Sequence, residues 1–137
     1  MKTKPKTIKS VGPKYLEGNL DTKEKEAILS FVNFIIKKYR GKIEFIYLFG
    51  SKARGEERKG SDIDLLICVD KWKNRYLDEI SDLSFNYILN YNILLSPIIY
   101  DKKEWLAENE AGTPFIRSIQ REGIELWRRK KSTLRLK

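Results

Sequence analysis

The chain has 137 residues, 41% of them apolar and 34% charged, which suits one soluble folded domain with its own core and excludes a disordered chain. No apolar run approaches the roughly 20 residues needed to cross a bilayer, and no hydrophobic stretch follows the basic opening MKTKPKTIKS, so the expectation is a cytoplasmic protein without membrane anchor or secretory leader. The sequence contains no histidine, which removes Ser-His-Asp and Cys-His triads and histidine zinc sites, and leaves carboxylates, amines, hydroxyls, backbone groups or an oxygen-bound metal for any chemistry.

The net charge of +9 is concentrated at the two ends. Lys2, Lys4, Lys6, Lys9 and Lys14 precede any acid, and Arg128, Arg129, Lys130, Lys131, Arg135 and Lys137 close the chain, while residues 16–127 hold 17 basic against 19 acidic side chains. The expected division is therefore a basic N-terminal tail over 1–20, a folded domain over 21–127 and a basic C-terminal tail over 128–137. Such tails read either as solvated ends or as hooks making weak contact with nucleic acid.

Asp21-Thr22-Lys23-Glu24 has the form of a capping box. Behind it Ile28, Phe31, Val32, Ile35, Ile36 and Tyr39 recur at helical spacing as far as Gly41. Lys42–Phe49, β-branched and aromatic, predicts a strand, and a short helix is expected from near Ser51 to Gly55. Asp62–Val69 predicts a second strand, with Cys68 as a small core residue. Tyr76, Leu77, Ile80, Leu83, Ser84, Tyr87 and Ile88 mark a helix over about 73–89. Asn92–Tyr100 predicts a third strand, placed at a sheet edge or bulge by Pro97, which lacks an N–H. Asp101 suits the cap of a short helix over Lys102–Glu108, and Thr113-Pro114 opens another that Gly123 ends. Ile124–Trp127 reads as a last strand or a helical extension. Trp72, Trp105 and Trp127 are expected at core edges, and the aromatic residues of both long helices in the core. This order predicts an α/β (α+β) fold, a small mixed β-sheet flanked by helices.

The chemistry concentrates in FGSKARGEERKGSDIDLLICVD, Phe49 to Asp70. Alternation in a strand puts Asp62 and Asp64 on one face and Ile63, Leu65, Ile67 and Val69 on the other. Two like charges so placed repel, and a divalent cation with oxygen ligands, Mg²⁺ foremost, is the direct compensation. Gly50 allows a phosphate close to the backbone. The Ser51 hydroxyl and neighbouring N–H groups are donors to it, and Lys52, Arg54 and Lys59 add positive charge nearby. Arg54 either touches phosphate or pairs with an acid to hold the loop. Taken singly, each element is common in solvated loops and strand ends; the combination is specific.

YLFGSKARGEERKGSDIDLLICV, Tyr47 to Val69, resembles the DNA polymerase β-like nucleotidyltransferase superfamily and, within it, the minimal nucleotidyltransferase (MNT) branch. FIRSIQREGIELW, Phe115 to Trp127, is similar to the helix with an I-x-x-E-G ending that closes many of these domains. The resemblance implies Mg²⁺-dependent transfer of a nucleoside monophosphate from an NTP. By position Gly50 and Ser51 would bind the triphosphate and Asp62 and Asp64 would be the catalytic metal ligands, and the charge of Lys52 and Arg54 places them beside the nucleotide as well. It further implies an antitoxin that transfers AMP from ATP to a tyrosine of a HEPN ribonuclease toxin. The alternatives are a catalytically weak or inactive binding partner that inhibits its mate by occlusion, and transfer to a small molecule. Members of the superfamily usually carry a third carboxylate on the next strand. Here that position falls at Leu94 or Ser96, neither of them an acid, with Asp101 the nearest substitute further along.

Overall fold

The computed structural model describes residues 20–55, 62–130 and 134. Its elements run α1 (Thr22–Lys38), β1 (Ile43–Phe49), β2 (Ile63–Val69), α2 (Asn74–Tyr91), β3 (Leu95–Asp101), α3 (Lys102–Ala111), α4 (Pro114–Glu122) and β4 (Ile124–Arg128). The four strands form one mixed sheet in the order β3-β2-β1-β4, with β2 and β3 parallel and the other two pairings antiparallel.

Helices cover both faces of the sheet. Ala27, Ile28, Phe31, Val32 and Ile35 of α1 and Tyr76, Ile80 and Tyr87 of α2 pack on Ile46, Leu48, Ile63, Leu65 and Ile67. On the opposite face Trp105 of α3 and Ile116 and Ile119 of α4 pack on Phe45, Tyr47, Leu66 and Cys68. β1 and β2 are thus buried on both sides, which is why both read as near-continuous apolar runs. Cys68 is buried, and burial pushes its thiol far up, away from thiolate chemistry.

The punctuation residues act as expected. The box at Asp21 is complete: Glu24 N donates to Asp21 Oδ1 (2.8 Å) and Asp21 N to Glu24 Oε1 (3.0 Å). Asp101 caps α3 through Glu104 N (2.8 Å), and Thr113 caps α4, whose first residue is Pro114. Pro97 lies on β3, the edge strand. Ile124–Arg128 is a strand.

Four expectations are corrected. No helix forms after Ser51; Ser51–Gly55 is a single closed turn, ended by Gly55 at φ +78°. The folded body runs past residue 127. Arg128 is in β4 with its guanidinium over the Phe45 ring, Arg129 is ion-paired to buried Glu44, and Leu134 is buried in the second core. Two of the charges assigned to the C-terminal tail are therefore paired within the fold, Arg128 with Glu125 (2.7 Å) and Arg129 with Glu44; residues 1–19, 131–133 and 135–137 lie outside the described residues. Trp105 is a core centre at 0% exposure, whereas Trp72 is 40% exposed. Phe34 and Phe85, on the long helices, face solvent at 48% and 56%, because each falls outside its helix's buried stripe.

Candidate active site

β1 and β2 run antiparallel, and their register sets Phe49 opposite Asp64. The Gly50–Ser51 turn that leaves β1 therefore lies beside the start of β2, where the two aspartates stand. In the parallel β2–β3 pair Asp64 is opposite Ser96. The end of β1, the paired acids and Ser96 thus form a row across three adjacent strands at one end of the sheet.

The contact between turn and acids is close. Gly50 has φ +79°, and a methyl group built on it would lie 3.1 Å from Asp64 Cγ and inside the envelope of the Asp64 carboxylate oxygen. Glycine is required here on two counts, the left-handed backbone and the lack of room for a Cβ. The Gly50 carbonyl accepts from both Ala53 N and Arg54 N (3.1 Å each), and Gly55 N donates to Lys52 O (3.4 Å), so the turn closes on itself.

The two acids differ in environment. Asp62 is exposed and Asp64 half-buried. Burial, and after it the charge of Asp62, push the Asp64 carboxyl above its ordinary value, while the Arg54 guanidinium pulls it back. A pair so arranged gains from a hard dication. Its donors are carboxylate oxygens, with the Ser96 hydroxyl approaching Asp62 Oδ2 at 3.5 Å, and that chemistry fits Mg²⁺ finished by water and phosphate oxygens. Among the described residues no cluster of three or more His, Cys, Asp or Glu side chains could hold a metal.

Of the two candidates for the third position, Ser96 lies opposite Asp64 on β3, whereas Leu94 precedes the strand and its carbonyl accepts from Ile63 N (2.9 Å). Asp101 is opposite Val69, five residues from Ser96 and so roughly 16 Å along the strand. It is a helix cap, too far from the paired acids to complete their ligand set.

The two basic residues of the turn face protein acids. Lys52, expected on the nucleotide, is 5% exposed, and its Nζ lies 2.6 Å from Glu24 Oε2. Arg54 pairs with Glu122 at the end of α4 (3.6 Å) while staying near enough to Asp64 to affect its protonation. Lys59 lies outside the described residues. Glu24 and Glu122 were missed as partners of this loop. The only sequence signal for Glu24 was its place in the capping box, which accounts for one of its two oxygens.

Phe49, opposite Asp64, opens a chain of aromatic contacts. Phe49 meets Phe115 edge-on with centroids 5.3 Å apart, and Phe115 stacks on Tyr100 at 5.8 Å. No helix among the described residues is long and apolar enough to cross a membrane.

The family described as "Polymerase beta, Nucleotidyltransferase" matches residues 32–132. A Methanocaldococcus jannaschii protein provisionally named a protein adenylyltransferase is 38% identical over 104 residues, covering 76% of this chain and 98% of the relative. A second protein of that organism with the same provisional name is 34% identical over 102 residues, covering 74% of this chain and 96% of its own length. Among solved structures, a chain of the toxin–antitoxin MntA–HpeT shares 18% identity over 74% of each chain, with a TM-score of 0.49.

Proposed function

The chain belongs to the polymerase β nucleotidyltransferase family, and from that premise we propose that it transfers AMP from ATP to a protein hydroxyl, a tyrosine of a HEPN ribonuclease toxin, and so acts as that toxin's antitoxin. The observation that supports the site assignment is the seating of Gly50 against the Asp64 carboxylate, which sets the turn beside the start of β2, next to the acid pair. Two relatives matched over nearly their whole length bear a protein adenylyltransferase name, which supports a protein acceptor. The HEPN partner and its tyrosine rest on the MNT resemblance of Tyr47–Val69.

In this reading Gly50 lets the triphosphate approach the backbone, and the Ser51 hydroxyl and the turn's N–H groups donate to its oxygens. Asp62 and Asp64 hold Mg²⁺, which supplies charge neutralisation at the phosphates when bound. The acceptor hydroxyl forms a bond to the α-phosphorus, the bond to the β-phosphate oxygen breaks, and pyrophosphate leaves as the hydroxyl proton is released.

The test is incubation of the chain with ATP, Mg²⁺ and its HEPN-type partner, followed by intact mass measurement of the partner. Discrete steps of one adenylate, matched by loss of ribonuclease activity, are expected. Inhibition without any mass step would instead establish an occluding partner, a second reading favoured by Ser96 standing where a third carboxylate is usual.

That position yields a separate prediction. Ser96→Asp should tighten Mn²⁺ binding by about tenfold or more, because it adds a charged oxygen ligand beside Asp62. It should also lower the thermal midpoint of the metal-free protein by adding a third like charge. Titration by electron paramagnetic resonance, with calorimetry alongside, checks both. Unchanged Mn²⁺ affinity would mean that residue 96 does not reach the cation.

A further inference from the structure

We propose that Lys52 and Glu24 form a positioning strut for the nucleotide-binding turn, so that Lys52 acts on ATP only through the placement of Gly50 and Ser51. This rests on the proposed nucleotide site and assigns a role within it to a helix that contributes no residue to that site.

The strut is anchored firmly. The side chains of Lys52 and Glu24 are 6% and 14% exposed, and their charged atoms are 2.6 Å apart. The other Glu24 oxygen accepts from Asp21 N at 3.0 Å, and Glu24 N donates to Asp21 Oδ1 at 2.8 Å, so the glutamate is fixed from both of its ends. It belongs to a 17-residue helix whose buried stripe is packed into the core. The pair therefore joins the turn to a rigid element in the helical layer on one face of the sheet.

The opposite layer holds the same turn. Arg54, two residues along, pairs with Glu122 of α4, whose buried residues lie in the second core. Gly50 rests against Asp64 between these two attachments. The turn is thus fastened to the layers on both sides of the sheet while its glycine touches the acid pair. The height of Ser51 above Asp64 depends on both attachments, and Lys52 supplies the more buried one. Taking either partner from a buried ion pair is strongly destabilising, and the turn relieves that cost by moving.

The experiment measures binding of a non-hydrolysable ATP analogue with Mg²⁺ by isothermal calorimetry, with thermal midpoints taken in parallel. Glu24→Gln retains the oxygen that caps α1 but removes the charge facing Lys52, and it lies on a residue that does not touch nucleotide. The proposal expects Glu24→Gln and Lys52→Met to weaken binding similarly, by about tenfold, and the double variant Glu24→Met/Lys52→Met to weaken it no further than either single change. Weakening by Lys52→Met alone, with Glu24→Gln binding as wild type does, would make Lys52 a phosphate ligand and overturn the proposal. A lower thermal midpoint with unchanged affinity in both single variants would overturn it in favour of a purely structural pair. Should a single variant fail to fold, the double variant, which buries no lone charge, decides: wild-type affinity there overturns the strut. Failure of the wild-type protein to bind MgATP analogue would overturn the nucleotide site itself, an outcome distinct from the others.

Discussion

Asp64→Asn is expected to lower the proposed adenylate transfer by about 10²- to 10⁴-fold and to leave the metal-free protein at least as stable as the wild type at neutral pH. The loss would follow from removing one of the two proposed metal ligands, since metal stabilisation of the reacting phosphate amounts to several kcal/mol and each 1.36 kcal/mol is tenfold in rate. The stability follows from the sign of the Asp64 shift. Burial first and Asp62 second raise its carboxyl above the unfolded value, so the folded state binds that proton more tightly than the unfolded chain does. The contribution of this group to stability falls as pH rises from the ordinary aspartate range through the raised value, and the deficit persists at pH 7. Asparagine carries no such deficit. Thermal midpoints of the two proteins without metal should therefore differ most near neutrality, in favour of the variant, and converge as pH falls towards about 4. A variant that unfolds at pH 7 would show Asp64 to be structural.

Gly50→Ala should be the most damaging single change outside the acid pair. It forces a β-carbon into the left-handed region at φ +79° and against the Asp64 carboxylate. The backbone term alone amounts to about 1–3 kcal/mol, and relief of the collision must displace either the turn or the acid. We expect a lower denaturant midpoint together with transfer reduced by about 10²-fold, the scale of a misplacement of about 1 Å. Gly41 supplies the comparison: it also has positive φ, but nothing lies within 4 Å of a built Cβ, so Gly41→Ala should cost stability and spare transfer. Equal loss of transfer in the two variants would mean that the Gly50–Asp64 contact has no special part in the chemistry.

Local chemistry was legible in the sequence wherever one residue type satisfies one backbone need. Asp21 with Glu24, Asp101 and Thr113 each announced a helix start, and each side chain accepts the N–H it was expected to accept. Pro97 announced an edge because a central strand needs its N–H. The pairing of the glycine-serine turn with the two aspartates followed from their spacing. What escaped the reading depends on partners distant in sequence. The Lys52 ion pair is not legible because Glu24, 28 residues earlier, is brought to it only by the packing of α1. The choice between Leu94 and Ser96 required the β2–β3 register, because two residues that are two apart in a strand share a face and alternation cannot separate them. Arg128 and Arg129 read as tail charges because the stacking on Phe45 and the pairing with Glu44 across the sheet have no local signature. Phe34 and Phe85 were taken for core by residue type, and only their position around the helix axis shows otherwise.

The most direct test of the site is an Mn²⁺ titration by electron paramagnetic resonance, in the presence and absence of a non-hydrolysable ATP analogue, on the wild-type chain and on Asp62→Asn/Asp64→Asn. Bound Mn²⁺ that increases when the analogue is added, and that is lost in the folded double variant, is the predicted result. Nucleotide-dependent Mn²⁺ binding that survives in the double variant would place the metal elsewhere and contradict the assignment of Asp62, Asp64 and the Gly50–Ser51 turn to one pocket.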